Sequence, residues 1–199
     1  MTEIVLESPL VGIARLGKRE LRADGRSCWL DEVPFVDMLN LRGNSANPAF
    51  AQAVQQVTGL ALPTQPNTAS VQSASGITGG RQLFWLGPDE WLFKTHDAQG
   101  EALEAALRTA LAGQHFAVVQ VGSGNTTLTV QGAAAADLIN RGCPLDLHPR
   151  AFGTGALAQT HIAKANVVLY CLEAGQHYEI TVRRSFADYL FSWLCEAGS

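Results

Sequence analysis

The chain has 199 residues, of which 47% are hydrophobic and 16% are charged, and its formal charge at pH 7 is −4. This acidic balance argues against nucleic-acid binding, because that function needs a basic surface. No apolar run reaches the ~18 residues of a membrane span, and the first residues carry acids where a secretory signal has cations. The four cysteines form no Cys-x-x-Cys motif, so we expect reduced, buried thiols and a cytoplasmic protein.

The low charged fraction has a structural consequence. Typical soluble domains carry about 25% charged residues, and surfaces buried between subunits are depleted in them. The composition therefore fits a chain that keeps part of its surface against a partner. It fits a small monomer rich in alanine and glycine equally well, and composition alone does not separate the two.

The first half of the chain is predicted to alternate strands and helices. In order, the predicted elements are an N-terminal arm (1–33), a strand ending at 41–43, a helix (47–59), a loop (63–80), a hairpin (83–86 with 91–93) and a helix (99–112). The first helix has clear limits, because Asn47 is a favoured N-cap residue, Pro48 suits the first helical position and Gly59 suits the C-terminal end.

The second half repeats this order. The predicted elements are a hairpin (116–121 with 126–132), a helix (133–141), a loop, a hairpin (167–172 with 178–182) and a final helix from Ser185. Residues 122–125, Gly-Ser-Gly-Asn, are interpreted as the turn of the first hairpin. Ser185 and Asp188 are close to a capping box. The residues predicted to face the core from the final helix are Phe186, Tyr189, Leu190, Trp193 and Leu194.

The two halves have equivalent landmarks. Gly43 and Gly132, Leu60 and Leu145, and Trp85 and Tyr170 are each separated by 85 to 89 residues. This spacing predicts an α+β fold of two pseudo-repeated β-α-β-β-α halves with antiparallel sheets. We therefore expect a single globular domain over residues 34–199, with halves at about 34–113 and 114–199.

No motif in the sequence assembles a catalytic or metal site. Ser123 lacks the rest of a nucleophile elbow, and no complete Gly-x-Gly-x-x-Gly motif follows a strand. The five histidines show no metal-ligand spacing. The acids Asp89, Glu90, Asp146 and Asp188 each suit a turn, a cap or a helix N-terminus. We therefore expect no catalytic, cofactor-binding or metal-binding residue in this chain.

Four residues are candidates for contact with a partner. Arg183 and Arg184 precede the final helix, where a cation opposes the helix dipole and two guanidinium groups favour an anion. That anion is either a folate-like carboxylate or an acid of another subunit, unless the arginines pair with Asp188 or Asp146 within the chain. Arg150 and Phe152 place an arginine and an aromatic ring in one loop, a composition typical of interface anchors.

Four sequence blocks carry a family resemblance. They lie at 39–43 (Leu-Asn-Leu-Arg-Gly), 85–92 (Trp-Leu-Gly-Pro-Asp-Glu-Trp-Leu), 141–152 and 183–194. Together, and in this order, they resemble the gamma subunit of bacterial heterotetrameric sarcosine oxidase. The resemblance covers roughly residues 34–199.

The resemblance implies a fold related to the folate-binding domain of glycine-cleavage aminomethyltransferases. It also implies a structural subunit without catalytic residues, in a complex with alpha, beta and delta subunits. That complex demethylates sarcosine to glycine, forming hydrogen peroxide and 5,10-methylenetetrahydrofolate. FAD, FMN, NAD and tetrahydrofolate are expected in the partner subunits and none of them in this chain. The alternatives are a free-standing folate-binding or aminomethyl-transfer protein of the same fold, and a scaffold for another flavin-dependent amine oxidase.

Overall fold

The structure, a computed structural model, describes residues 7–14, 17–73 and 80–199. Its strands are β1 (Arg19–Ala23), β2 (Arg26–Val33), β3 (Asp37–Arg42), β4 (Ala69–Ser73), β5 (Gly80–Gly87), β6 (Glu90–Thr95), β7 (Ala117–Gln120), β8 (Asn125–Gln131), β9 (Leu157–Ile162), β10 (Ala165–Glu173) and β11 (His177–Arg183). Its α-helices are α1 (Val11–Ala14), α2 (Pro48–Thr58), α3 (Gly100–Ala110), α4 (Ala135–Asn140) and α5 (Arg184–Ala197). None of these helices has the length and apolar character that a bilayer span requires.

The chain divides into two units, each with its own antiparallel sheet. The first unit contains Met1–Phe35 and Gly124–Ser199, and the second contains Val36–Ser123. The six-stranded sheet of the first unit has the order β1-β2-β8-β11-β10-β9, and the five-stranded sheet of the second has the order β4-β5-β6-β3-β7. These sheets and their helices confirm the predicted α+β class.

The two units repeat one topology. Strand order β9-β10-β11-β8-β2 in the first unit corresponds to β4-β5-β6-β3-β7 in the second, with helices at the same places along the chain. Each sheet also takes in the strand that precedes the other repeat: β2 leads into β3 but pairs with β8, whereas β7 leads into β8 but pairs with β3. The sequence repeat is therefore a structural repeat with exchanged first strands.

That exchange contradicts one predicted hairpin. β7 and β8 do not pair with each other, and Gly122–Gly124 forms a short 3₁₀ helix between them. Neither of these two glycines has a positive φ. The Gly-Ser-Gly-Asn sequence indicates only that the chain can turn at this point. Which strands pair depends on side-chain burial, and here β7 pairs with β3 and β8 pairs with β2 and β11.

The described N-terminal residues form part of the first unit. β1 and β2 form a hairpin, and β2 pairs with β8, so these residues belong to the six-stranded sheet. Leu10 is fully buried in the core of the same unit. The predicted loop over 63–80 likewise contains strand β4, and its residues 74–79 lie outside the described part of the chain.

The predicted limits of α2 are confirmed. The Asn47 side-chain oxygen accepts a hydrogen bond from the Ala49 backbone N–H at 3.0 Å, Pro48 is the first helical residue, and Gly59 ends the helix with φ = 77°. The hairpins β5–β6 and β10–β11 are confirmed as well.

Each sheet buries one face under two helices. The core of the second unit contains Leu39, Leu41, Phe50, Ala53, Val54, Leu60, Leu83, Trp91, Phe93, Leu103, Leu107, Leu111 and Val118. In the first unit, α4 and α5 cover alternate residues of β8, β10 and β11, among them Leu128, Leu169 and Ile180. Alternation along each strand thus places the apolar set on the helix side.

The landmark glycines of the two repeats are required by close approaches. A Cβ at Gly43 would lie 2.2 Å from the Phe50 ring. A Cβ at Gly132, where φ is 131°, would lie 2.8 Å from the Cys28 Cα atom. The sequence repeat therefore preserves positions, just after β3 and β8, where a side chain does not fit.

Gly132→Ala should lower the free energy of unfolding by about 2 kcal/mol or more, because alanine meets both a strained φ and a backbone atom. Gly153→Ala is the matched control: its Cβ would lie 3.5 Å from the Pro149 carbonyl oxygen, an ordinary contact, and the expected change is below about 0.5 kcal/mol. Urea unfolding midpoints compare the two. Equal midpoints for both variants would contradict this account of the repeat.

Candidate partner-contact surface

Arg183 and Arg184 lie at the junction of β11 and α5. Arg183 has φ = −59° and ψ = 135° and is the N-cap residue, and Arg184 begins the helix. No side chain caps this helix end, so the predicted capping box is wrong. Ser185 already lies in the first helical turn, and the Asp188 carboxylate accepts a hydrogen bond from the Ser192 hydroxyl at 3.4 Å instead.

The two guanidinium groups have different surroundings. Arg184 Nη2 donates to the backbone oxygen of Glu7 at 2.6 Å, which ties the N-terminal segment to the start of α5. Arg183 is exposed and has no ion pair within the described residues. Neither arginine pairs with Asp146 or Asp188 in that part of the chain. Arg183 is therefore the cation that remains open to an external anion.

The other two candidates, Arg150 and Phe152, lie in the loop between α4 and β9 and have different surroundings. Asp146 Oδ1 accepts from the His148 backbone N–H at 2.9 Å, and His148 Nδ1 accepts from the Arg150 backbone N–H at 3.2 Å. Arg150 itself is exposed. Phe152 is only 7% exposed and stacks on Tyr178, with ring centroids 6.4 Å apart. Phe152 therefore anchors the loop to its own core and cannot serve as the predicted interface anchor.

The face of α5 that enters the core also differs from the prediction. Ala187, Leu190, Phe191 and Leu194 are buried, whereas Phe186 and Tyr189 are 42% and 37% exposed. Leu190 and Leu194 belong to both the predicted and the observed stripe, so the helix is rotated by part of a turn. Only the small Ala187 fits beneath the first turn, and the larger rings are turned outward.

We call Phe186, Tyr189 and Trp193 the aromatic ridge. They follow one another at i, i+3 and i+7 along one side of α5. The Phe186 and Tyr189 rings meet edge to face at 6.3 Å, and the Tyr189 hydroxyl accepts from the Lys164 backbone N–H at 3.3 Å. Trp193 packs against the position of Gly142, where an added Cβ would lie 2.5 Å from the indole.

The number of apolar residues in α5 indicates an exposed ridge, although the single helical stripe used for prediction did not show it. Apolar residues occupy both stripes of α5, and together they cover more than the ~100° that a helix on a sheet ordinarily buries. The apolar residues of α5 beyond that width must lie outside the core. Its exposed position is therefore a consequence of the width of the apolar face.

The cysteines of the first unit are structural. Burial raises the pKa of the Cys28 thiol to about 11, although Arg141 acts in the opposite direction. Burial likewise raises the pKa of Cys171 to about 11. A thiol with such a pKa is not a nucleophile near neutral pH. Among the described residues, no group of three or more His, Cys, Asp and Glu side chains is placed to hold a metal ion.

A cleft of about 440 Å³ lies in the second unit, at the ends of β3 and β7. Arg42 lines it, but its Nη2 atom is 2.9 Å from the Glu90 carboxylate and 3.9 Å from that of Asp89. The arginine is thus already neutralised by two acids of the same hairpin. This cleft offers an anionic ligand no uncompensated cation from Arg42.

The face of the six-stranded sheet opposite its helices carries a set of buried polar side chains. It includes Thr127, Thr129, His177, Glu179 and Thr181. Burial lowers the pKa of His177 below its ordinary value of 6.5, and the charges of Glu179 and Glu173 partly oppose that shift. The folded protein therefore favours the neutral imidazole.

Comparisons with known proteins agree with this architecture. Residues 42–199 match the model of the sarcosine oxidase gamma subunit family. The chain is 33% identical to sarcosine oxidase subunit gamma of Corynebacterium sp. strain U-96, covering 96% of this chain and 89% of that protein. It is 31% identical to the corresponding subunit of Arthrobacter sp., covering 84% and 78%.

Two solved structures resemble the chain. A chain of the heterotetrameric sarcosine oxidase from Corynebacterium sp. U-96, in complex with pyrrole 2-carboxylate, matches with a TM-score of 0.85 and 30% identity over 96% of this chain and 94% of that one. Glycine cleavage system aminomethyltransferase T from Bartonella henselae matches with a TM-score of 0.63 and 14% identity over 96% of this chain and 57% of that one.

The fold class is therefore that of the aminomethyltransferases, here in a chain the size of one subunit of a larger complex. The chain belongs to the sarcosine oxidase gamma subunit family.

Stability should fall as the pH drops below about 6.5, because the unfolded chain protonates His177 before the folded protein does. His177→Asn should make the urea midpoint less dependent on pH between 7.5 and 5.5. His115→Asn removes an exposed histidine and should keep the wild-type slope. The prediction fails if the His177 variant keeps that slope as well.

Proposed function

We propose that this chain is a non-catalytic structural subunit of a heterotetrameric oxidase that demethylates sarcosine. The products of that complex are glycine, hydrogen peroxide and, with tetrahydrofolate as acceptor, 5,10-methylenetetrahydrofolate. The partners are the alpha, beta and delta subunits, and the role of this chain is to support their assembly and stability.

The observation that carries the proposal is the match to a chain of a heterotetrameric sarcosine oxidase, which extends over 96% of this chain with a TM-score of 0.85. Both units are thus present in that match. The low charged fraction of 16% fits a surface partly covered by neighbouring subunits.

The Gly122–Gly124 stretch does not fit a dinucleotide cofactor. A dinucleotide pyrophosphate is held by a glycine-rich turn from a strand into a helix, whereas Gly122–Gly124 connects two strands. We therefore propose that FAD, FMN, NAD and tetrahydrofolate bind to the partner subunits. The structural role depends on surface contacts, and the predicted contact residues that are exposed are Arg150, Arg183 and Arg184.

Co-expression with and without this chain tests the assembly role. Omitting it should reduce the yield of the intact oxidase several-fold and lower its thermal midpoint, because a buried subunit face is then exposed to water. The purified chain alone should neither oxidise sarcosine nor bind tetrahydrofolate in calorimetry. Oxygen consumption by the isolated chain would end the proposal, and micromolar folate binding would favour a folate-binding protein of the same fold.

A further inference from the structure

Helix α5 has more apolar surface than its own core uses. Its inward face is complete with Ala187, Leu190, Phe191 and Leu194. Beside it the aromatic ridge adds the exposed rings of Phe186 and Tyr189, and the Trp193 ring, which is partly buried against the core. Aromatic residues are enriched where proteins bury surface against partners, and Tyr and Trp are frequent hot spots. The ridge therefore has the composition of a contact surface.

The ridge is held in place before any partner arrives. The edge-to-face contact of Phe186 with Tyr189, at 6.3 Å, restricts both rings. The bond from the Lys164 backbone N–H fixes the Tyr189 hydroxyl at 3.3 Å. Side chains that are already ordered lose less conformational entropy on binding, which favours association over a mobile surface.

Cations flank the ridge. Arg183 precedes Phe186 by three residues, at the start of α5, and Lys164 lies in the turn that contacts Tyr189. Both side chains are exposed, and neither has an ion pair within the described ranges. Since the whole chain carries a formal charge of −4, this positive border is a local feature. An occupant with carboxylates beside an apolar side chain complements it.

We propose that the aromatic ridge, with Arg183 and Lys164, docks an acidic segment of another subunit of the oxidase. An apolar side chain of that segment packs on Phe186 and Tyr189, and a carboxylate pairs with Arg183. This assignment rests on the proposed structural role and names the surface that carries it. The occupant is another kind of subunit, because a second copy of this chain would have to meet the same pair of uncompensated cations.

The test is binding of the tagged chain to the co-expressed remaining subunits, measured by surface plasmon resonance. Phe186→Ala should raise the dissociation constant at least ~10-fold, mainly through a faster dissociation rate, since anchors act on that rate. Phe35→Ala is the matched control, because Phe35 is an aromatic residue that is 57% exposed but does not belong to α5, and its loss should change binding less than ~2-fold. Tyr189→Phe keeps the ring but loses the bond from the Lys164 N–H, so it should weaken binding less than Phe186→Ala does.

The role of Arg183 is tested separately, through the association rate. Arg183→Glu should slow association ~10-fold at low salt and weaken the dependence of the association rate on ionic strength, as expected for electrostatic steering. Arg22→Glu, an equal charge change at an exposed residue of β1, is the control. Urea unfolding of each variant verifies that the chain still folds.

The outcomes separate two failures. If the wild-type chain does not bind the other subunits at all, the structural role itself is wrong. If it binds, and Phe186→Ala and Arg183→Glu bind as tightly and as fast as wild type, only the ridge assignment is wrong. Concentration-dependent dimerisation of the isolated chain that Phe186→Ala abolishes would also overturn it, because the ridge would then belong to a homodimer.

Discussion

Each sheet has to bury one apolar face, and both units meet this requirement by laying two helices across it. The strands supply alternate residues to that face, and the helices supply stripes such as Phe50, Ala53 and Val54 in α2. Burial of this kind provides most of the stability of a small α+β unit. It also determines which apolar residues stay exposed, because any apolar residue beyond the width of the stripe must remain at the surface. In α5 that surplus is the aromatic ridge.

The repeat explains why the chain uses its glycines as it does. Gly43 and Gly132 follow equivalent strands and sit where a neighbour occupies the space of a side chain, a phenyl ring in one unit and the β2 backbone in the other. The equivalent position therefore lacks a side chain in both units, but a different neighbour excludes the side chain in each. A duplicated fold can retain a backbone path while the packing around it diverges, and the exchanged strands β2 and β7 are part of that shared path.

Local signals were sufficient where the determining residues are neighbours in sequence. Asn47, Pro48 and Gly59 define α2 without reference to the rest of the chain, and the β5–β6 turn does the same for its hairpin. The start of α3 was also predicted correctly, although the Asp37 carboxylate that accepts from the Gly100 N–H there, at 2.9 Å, is 63 residues away. Prediction failed where contacts between distant residues decide. The sequence of α5 alone did not show that Ala187 and Phe191 face the core, and Phe152 is buried against Tyr178. A pattern of neighbouring residues in the sequence carries no information about these long-range contacts.

A shared fold does not transfer an activity, since function depends on sites placed on the fold. The likeness to an aminomethyltransferase at 14% identity accordingly describes the architecture of this chain and leaves its role to its own side chains. Those side chains include thiols whose pKa values burial has raised and an arginine, Arg42, that forms an ion pair with Glu90 of the β5–β6 hairpin. On α5, by contrast, an ordered aromatic ridge lies beside two cations that have no ion pair within the part of the chain that the structure describes. A chain of the heterotetrameric sarcosine oxidase from Corynebacterium sp. U-96 shares this fold, and binding another subunit is the role that we propose for the ridge.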